Sequence, residues 1–219
     1  MDTYNADEEL EKLKSWWKSY GNSVIAGIVL GVVLLGGITY WKQYKAERAT
    51  QASMLYDTLI ASATQNNAVA MGDAGTKLIS DYSATAYAGK AALILARLSY
   101  DFADVEGARK HLQWAVDHAT ETTTRQVARL RLARILIEQN ALDQALVLAN
   151  VSDTGGFASE YQELRGDIFL AQGKKAEAGS AYGKALEGLT KGSAYERVLK
   201  MKLDDLGPDN TALEPEQIK

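Results

Sequence analysis

The sequence contains no cysteine, two prolines and two histidines in 219 residues. Without cysteine there is neither a disulfide nor a thiolate metal site, and this absence does not distinguish the cytoplasm from the periplasm. Pro208 and Pro215 lie near the C-terminal end, so no proline forces a kink in the chain before them. His111 and His118 lack acidic residues in register, which favours solvated helix positions over a metal site.

Sequence patterns of catalysis are also missing. There is no glycine-rich phosphate loop, and no nucleophile–base pair stands out. The 24 basic residues are balanced by 28 acidic ones, which gives no electrostatic footprint for nucleic acid. Helical spacing distributes Arg125, Arg129, Arg131 and Arg134 over different sides of a helix, which favours a solvated helix over a phosphate site. We therefore predict a non-enzymatic protein without catalytic, cofactor-binding or metal-binding residues.

One stretch of the chain, Val24 to Trp41, has eighteen residues without a charge or a polar face. As a helix it measures roughly 27 Å, close to the hydrocarbon thickness of a bilayer. Bulky residues follow the stretch where a signal peptidase would need small ones, so we predict an uncleaved signal anchor. Aromatic residues that favour membrane–water interfaces flank both ends: Trp16, Trp17, Tyr20, Tyr40, Trp41 and Tyr44.

Within the predicted span, Gly27 and Gly31 form a GxxxG motif that Ser23 extends by one turn. Small residues allow two helices in lipid to approach closely, so these three residues are a candidate contact face for another span. The alternative is that glycine is simply common in membrane spans. Lysine and arginine counts tie across the span and do not set its orientation.

After the span, alanine, leucine and other strong helix formers dominate, so we predict an all-α domain. Four alanines recur at spacings of 34, 37 and 33 residues: Ala74, Ala108, Ala145 and Ala178. Each is followed four positions later by an apolar, small or aromatic residue, namely Leu78, Leu112, Ala149 and Tyr182. This spacing is typical of tetratricopeptide repeats, which are stacked helix–turn–helix units. An alanine-rich helical bundle with accidental spacing is the alternative.

The predicted organisation is a short N-terminal tail that can form an amphipathic helix (1–20), a signal anchor with its flanks (21–44), a tetratricopeptide-repeat-like solenoid (45–206) and a flexible tail (207–219). The first helix of each repeat should line a concave groove, apolar along its length, basic in the middle and acidic at its C-terminal end. Such a groove fits a peptide or a helix of another protein. The residues predicted to line it are Tyr56, Leu59, Lys90, Leu93, Arg97, Tyr100, Val127, Leu130, Arg134, Ile137, Glu160, Glu163, Asp167 and Leu170.

A second interpretation of the groove stays open. Arg97 and Arg134 could pair with neighbouring acids of the same chain. The apolar positions could pack on an added helix, for which Ser193–Leu206 is the candidate.

Four features occur in order along the chain: an acidic tail ending in WWKSYGNSV, a glycine-rich span, the exit YWKQY, and alanine-rich repeats containing LRGDIFLAQGK. Together they closely resemble the YfgM family, the ancillary SecYEG translocon subunit of Gram-negative bacteria. The resemblance implies a single-pass inner-membrane protein with a cytoplasmic N-terminus and a periplasmic repeat domain. It also implies contacts with membrane lipid, the SecYEG translocon, the periplasmic chaperone PpiD and emerging secretory polypeptides.

Two other functions remain open. In part of the family the cytoplasmic side is linked to envelope stress signalling, so the tail could act as a regulator. The repeat domain could also be a scaffold for another envelope complex without binding client polypeptides.

Overall fold

The computed structural model describes residues 3–207, with side chains from residue 9 onward. This part of the chain has nine α-helices and no β-strand, which confirms the predicted all-α architecture. The helices are α1 Thr3–Thr64, α2 Ala68–Asp81, α3 Ala86–Asp101, α4 Val105–His118, α5 Thr122–Glu138, α6 Leu142–Ala149, α7 Ala158–Ala171, α8 Lys175–Glu187 and α9 Ala194–Asp204. The predicted C-terminal tail lies, except for Gly207, outside the described residues.

The chain divides into two compact units between Thr50 and Gln51. In the first unit, α1 runs without interruption through the predicted tail, span and exit, because no proline breaks its hydrogen bonding. The apolar side chains from Ile25 to Ile38 are exposed, and the Thr39 hydroxyl donates to the carbonyl of Leu35 at 2.8 Å. In the described part of the chain, α1 alone is long and apolar enough to cross a membrane.

The second unit is a stack of helical pairs. Helices α2 to α6 pack each on the next along the chain, and so do α7, α8 and α9. Helix α5 also contacts α3 and α7, which are its equivalents in the neighbouring pairs. This combination of contacts within pairs and between equivalent helices is how helical repeats build a continuous core.

Small residues lie where the helices of this unit cross. The four alanines that mark the repeat are all buried, and so are the residues four positions after them. At Gly166 on α7 the two helices approach closely: a Cβ there would overlap the ring of Tyr182 on α8. Tyr182 is itself fully buried, and its hydroxyl donates to Oδ1 of Asp167 at 2.7 Å. The crossing of α7 and α8 therefore requires glycine at this position.

The turns between paired helices repeat a second feature. Asn66, Ala103, Asn140 and Gly173 stand at the end of α1, α3, α5 and α7, and all four have a positive φ, between 53° and 76°. The left-handed conformation suits glycine and asparagine, whereas alanine at position 103 adopts it at a cost of about 1 kcal/mol. A residue in the left-handed conformation thus stands in the turn between the two helices of each of the four pairs.

Candidate protein-binding surface

The residues predicted to line the groove lie on α1, α3, α5 and α7, the first helices of the four pairs. Leu59 and Leu130 do not face an open groove. Leu59 is fully buried against Leu78 and Ala91, and Leu130 is 4% exposed in the core around α5. Their apolar side chains pack between adjacent helices, which removes more apolar surface from water than a position on the rim would.

A large open space on this face is a cavity of about 730 Å³ beside α1, α2, α3 and α5. Four predicted residues line it: Tyr56, Lys90, Leu93 and Arg97. The sequence did not predict its other lining residues, which are Ala63, Asn66, Ala68, Met71, Ile94, Leu98, Asp101, Phe102 and Arg131. The walls are therefore mainly apolar, with charged groups between them.

A second cavity of about 300 Å³ lies between α3 and α5. Tyr100 and Arg134 were predicted on this face, and the Tyr100 hydroxyl donates to Glu138 Oε2 at 3.1 Å. Arg97 and Arg131 line both cavities, so the two spaces adjoin at these two residues. The other residues around the second cavity are Ala96, Leu112 and Ile135.

Two of the three acidic residues at the C-terminal end of the predicted groove are neutralised within the chain. Lys202 of α9 lies 2.8 Å from Glu163 Oε1 and 2.7 Å from Asp167 Oδ1. The hydroxyl of Tyr195, also on α9, donates to Glu163 Oε2 at 2.7 Å, and Arg134 approaches the same oxygen at 3.5 Å. Internal pairing by the C-terminal helix thus accounts for Glu163 and Asp167, whereas the two cavities near α1, α3 and α5 remain open in the described part of the chain.

These contacts shift the acid–base behaviour of the cluster. Burial alone would raise the pKa of Glu163, but hydrogen bonds from Lys202 and Tyr195 and the nearby positive charges outweigh it and lower the pKa. Burial likewise disfavours the charged form of Lys202, yet its two carboxylate partners raise the pKa overall. Glu163 and Lys202 therefore keep their charges at neutral pH.

The remaining predicted groove residues line neither cavity. Val127, Ile137 and Glu160 are half-buried, and Leu170 is exposed near the end of α7.

The cations on this face differ in their partners. Lys90 lies 3.5 Å from Glu121, and Arg97 contacts Asp101 one turn along α3 at 2.7 Å. Arg131 is exposed and has no ion-pair partner among the described residues. The sequence alone does not single it out, because the spacing of the arginines in α5 favours a solvated helix. Arg131 is nevertheless three residues from Arg134 and four from Val127, on the same side of the helix.

The span carries two predicted features, a contact face that includes Gly27 and Gly31 and two aromatic belts. A Cβ added at Gly27 or Gly31 would meet nothing within 4 Å. The six aromatic residues of the predicted belts are all exposed, and Trp41 and Tyr44 stack with their ring centres 6.2 Å apart. About twenty helical residues separate the two belts, which corresponds to roughly 30 Å. The contact face and the belts stay predictions.

The histidines have ordinary surroundings. His118 stacks on Trp114 with ring centres 5.1 Å apart, and its Nδ1 lies 3.0 Å from the Trp114 carbonyl oxygen. Burial lowers the pKa of His111, and Asp104 offsets this only in part. In the part of the chain that the structure describes, no three histidine or acidic side chains gather as metal ligands would.

Comparison with known proteins is consistent with this geometry. A family model described as a tetratricopeptide repeat-like domain matches residues 14–208. A Haemophilus influenzae protein named "Ancillary SecYEG translocon subunit" is 32% identical over 201 residues, covering 91% of this chain and 97% of that protein. Proteins of the same name from Neisseria gonorrhoeae and Escherichia coli are 29% and 27% identical, covering 91% and 94% of this chain and 96% and 99% of their own lengths.

Proposed function

Because this chain belongs to the YfgM family of tetratricopeptide repeat-like proteins, we propose that it is a non-enzymatic accessory subunit of the SecYEG translocon. The observation that carries this proposal is the similarity along nearly the full length to proteins of that name, span and repeats included. Its role is to hold a protein-binding domain at the translocon rather than to catalyse a reaction.

The apolar stretch of α1 anchors the chain in the inner membrane as a single span. We place the N-terminal segment in the cytoplasm and the repeat unit in the periplasm, as the family resemblance implies. The belts at Tyr20 and Tyr40 support the span, since their separation matches the apolar thickness of a bilayer. Anchoring near the exit of the translocon raises the effective concentration of the repeat unit there to roughly millimolar without any strong contact.

In the periplasm the concave surface binds short segments of other polypeptides. The cavity of about 730 Å³ falls within the size range of protein ligand sites, and its walls combine apolar side chains with exposed cations. Such a surface holds an apolar segment weakly and releases it readily. The family resemblance adds a role in passing emerging polypeptides to periplasmic chaperones, with PpiD as a membrane-anchored partner.

Site-specific photo-crosslinking in living cells tests this proposal. Phe102 lies at the cavity and is 68% exposed, so an aromatic photo-crosslinker replaces it with little disturbance. Val147 on α6 is similarly exposed and lines neither cavity, which makes it the matched control. We expect crosslinks to secretory polypeptides, or to PpiD, from position 102 and not from position 147. Equal crosslinking from both positions would contradict the proposal that the concave surface is the binding site.

A further inference from the structure

We propose that the two adjoining cavities recognise a particular class of polypeptide segment, in which an acidic residue stands between apolar residues and its carboxylate pairs with Arg131. This inference rests on the proposed function, namely that the concave surface binds polypeptides. It adds a selectivity for sequence that neither the family membership nor the presence of repeats implies.

The position of Arg131 is the first support. Arg131 lines both cavities, and in residues 9–207 it has no acidic partner, whereas Lys90, Arg97 and Arg134 each have one. An arginine fork matches a carboxylate in geometry and charge. Arg131, which lies between the cavities without an acidic partner in the described part of the chain, thus selects a negatively charged group.

The walls on either side of Arg131 are the second support. On one side, Met71, Leu93 and Ile94 line the cavity of about 730 Å³. On the other side, Leu112 and Ile135 line the cavity of about 300 Å³. A segment with a carboxylate at Arg131 can therefore place a large apolar side chain in the first cavity and a smaller one in the second.

Charge distribution argues against a basic segment. Asp101 and Glu138, the acidic groups that line the cavities, are already bound by Arg97 and Tyr100. A carboxylate can accept further hydrogen bonds, so a lysine could still pair with Glu138, whose partner Tyr100 carries no positive charge. A lysine placed between the two cavities would nevertheless face Arg131, so repulsion there adds to the discrimination.

The test uses the full chain in detergent micelles and short fluorescent peptides that have the same apolar residues around a central Glu, Gln or Lys. Fluorescence anisotropy gives each Kd. We expect the Glu peptide to bind about tenfold more tightly than the Gln peptide, as one charge-assisted pair provides. Arg131→Gln should remove this preference and leave the Gln peptide's Kd unchanged. Lys110→Gln, which removes the same charge from an exposed position on α4, should keep the preference.

A charge reversal guards against a purely structural effect. Arg131→Glu should bind the Lys peptide more tightly than the Glu peptide, and it should fold normally because Arg131 is exposed. Equal losses for all three peptides in Arg131→Gln, or an unchanged preference, would overturn the inference. Two other outcomes would also overturn it, because the occupant would then be the chain itself. In the first, peptides bind only after residues 208–219 are removed. In the second, a second copy of the chain dimerises with the first and abolishes peptide binding. In these cases crosslinks from position 102 in cells would still support the proposed function.

Discussion

The crossing of α7 and α8 gives the sharpest test of the fold. Gly166→Ala places a methyl group where the ring of Tyr182 lies, and the ring cannot move easily because it is fully buried and bonded to Asp167. Gly183→Ala on α8 is the control, because a Cβ there meets nothing within 4 Å. Both changes gain about 0.5–1 kcal/mol of helix propensity, so their difference isolates the steric overlap.

Overpacking of this kind costs roughly 1–3 kcal/mol. For a unit of this size, the melting temperature of Gly166→Ala should therefore lie roughly 2–12 °C below that of Gly183→Ala. Thermal unfolding of the full chain in detergent micelles, followed by far-UV circular dichroism, measures the difference. The contribution of α1 to the dichroism signal is the same for both variants. In a Tyr182→Leu background, Gly166→Ala should become neutral or stabilising, because the overlap is gone. Equal melting temperatures of the two single variants would refute the helix crossing described above.

Three further predictions concern charge, topology and the span. Glu163→Gln should lower the free energy of unfolding at neutral pH by about 1–3 kcal/mol. The folded-state pKa of Glu163 lies below its ordinary value of 4.5, so this stabilisation is present above that value and is lost as the pH falls through the folded pKa. The melting curves of Glu163→Gln and of the unchanged protein should therefore converge in acid. A difference that persists in acid would contradict the pairing. A cysteine at Thr76, which is exposed on α2, should react with a membrane-impermeant maleimide from the periplasm, and one at Ser15 should react only after lysis; the reverse pattern would overturn the topology. Gly27→Ile with Gly31→Ile should leave membrane insertion intact and reduce co-purification of the translocon or PpiD, whereas unchanged recovery at equal expression would make the span a simple tether.

Sequence periodicity predicted the repeat well because it reports a local property. An alanine and a residue four positions later lie on one side of a helix in any context, and small size is needed wherever helices cross. Ala178 and Tyr182 could therefore be assigned to the core from their spacing alone, and both are fully buried. The same reasoning failed for Leu59 and Leu130. A helical wheel shows which residues share a face, but it does not show how much of that face the neighbouring helices cover.

The amino-acid sequence by itself determined the charge-free helix of membrane length, the all-α class and the small residues at the repeat period. These follow from chain-local rules of length, propensity and spacing. Only the tertiary structure decided which part of the predicted groove is open among the described residues. Lys202 neutralises Asp167 across 35 residues and Tyr100 binds Glu138 across 38, and such pairs exist only once the helices are stacked. Stacking also leaves Arg131 between two cavities without an acidic partner in the described part of the chain, because no acidic side chain of a neighbouring helix reaches it.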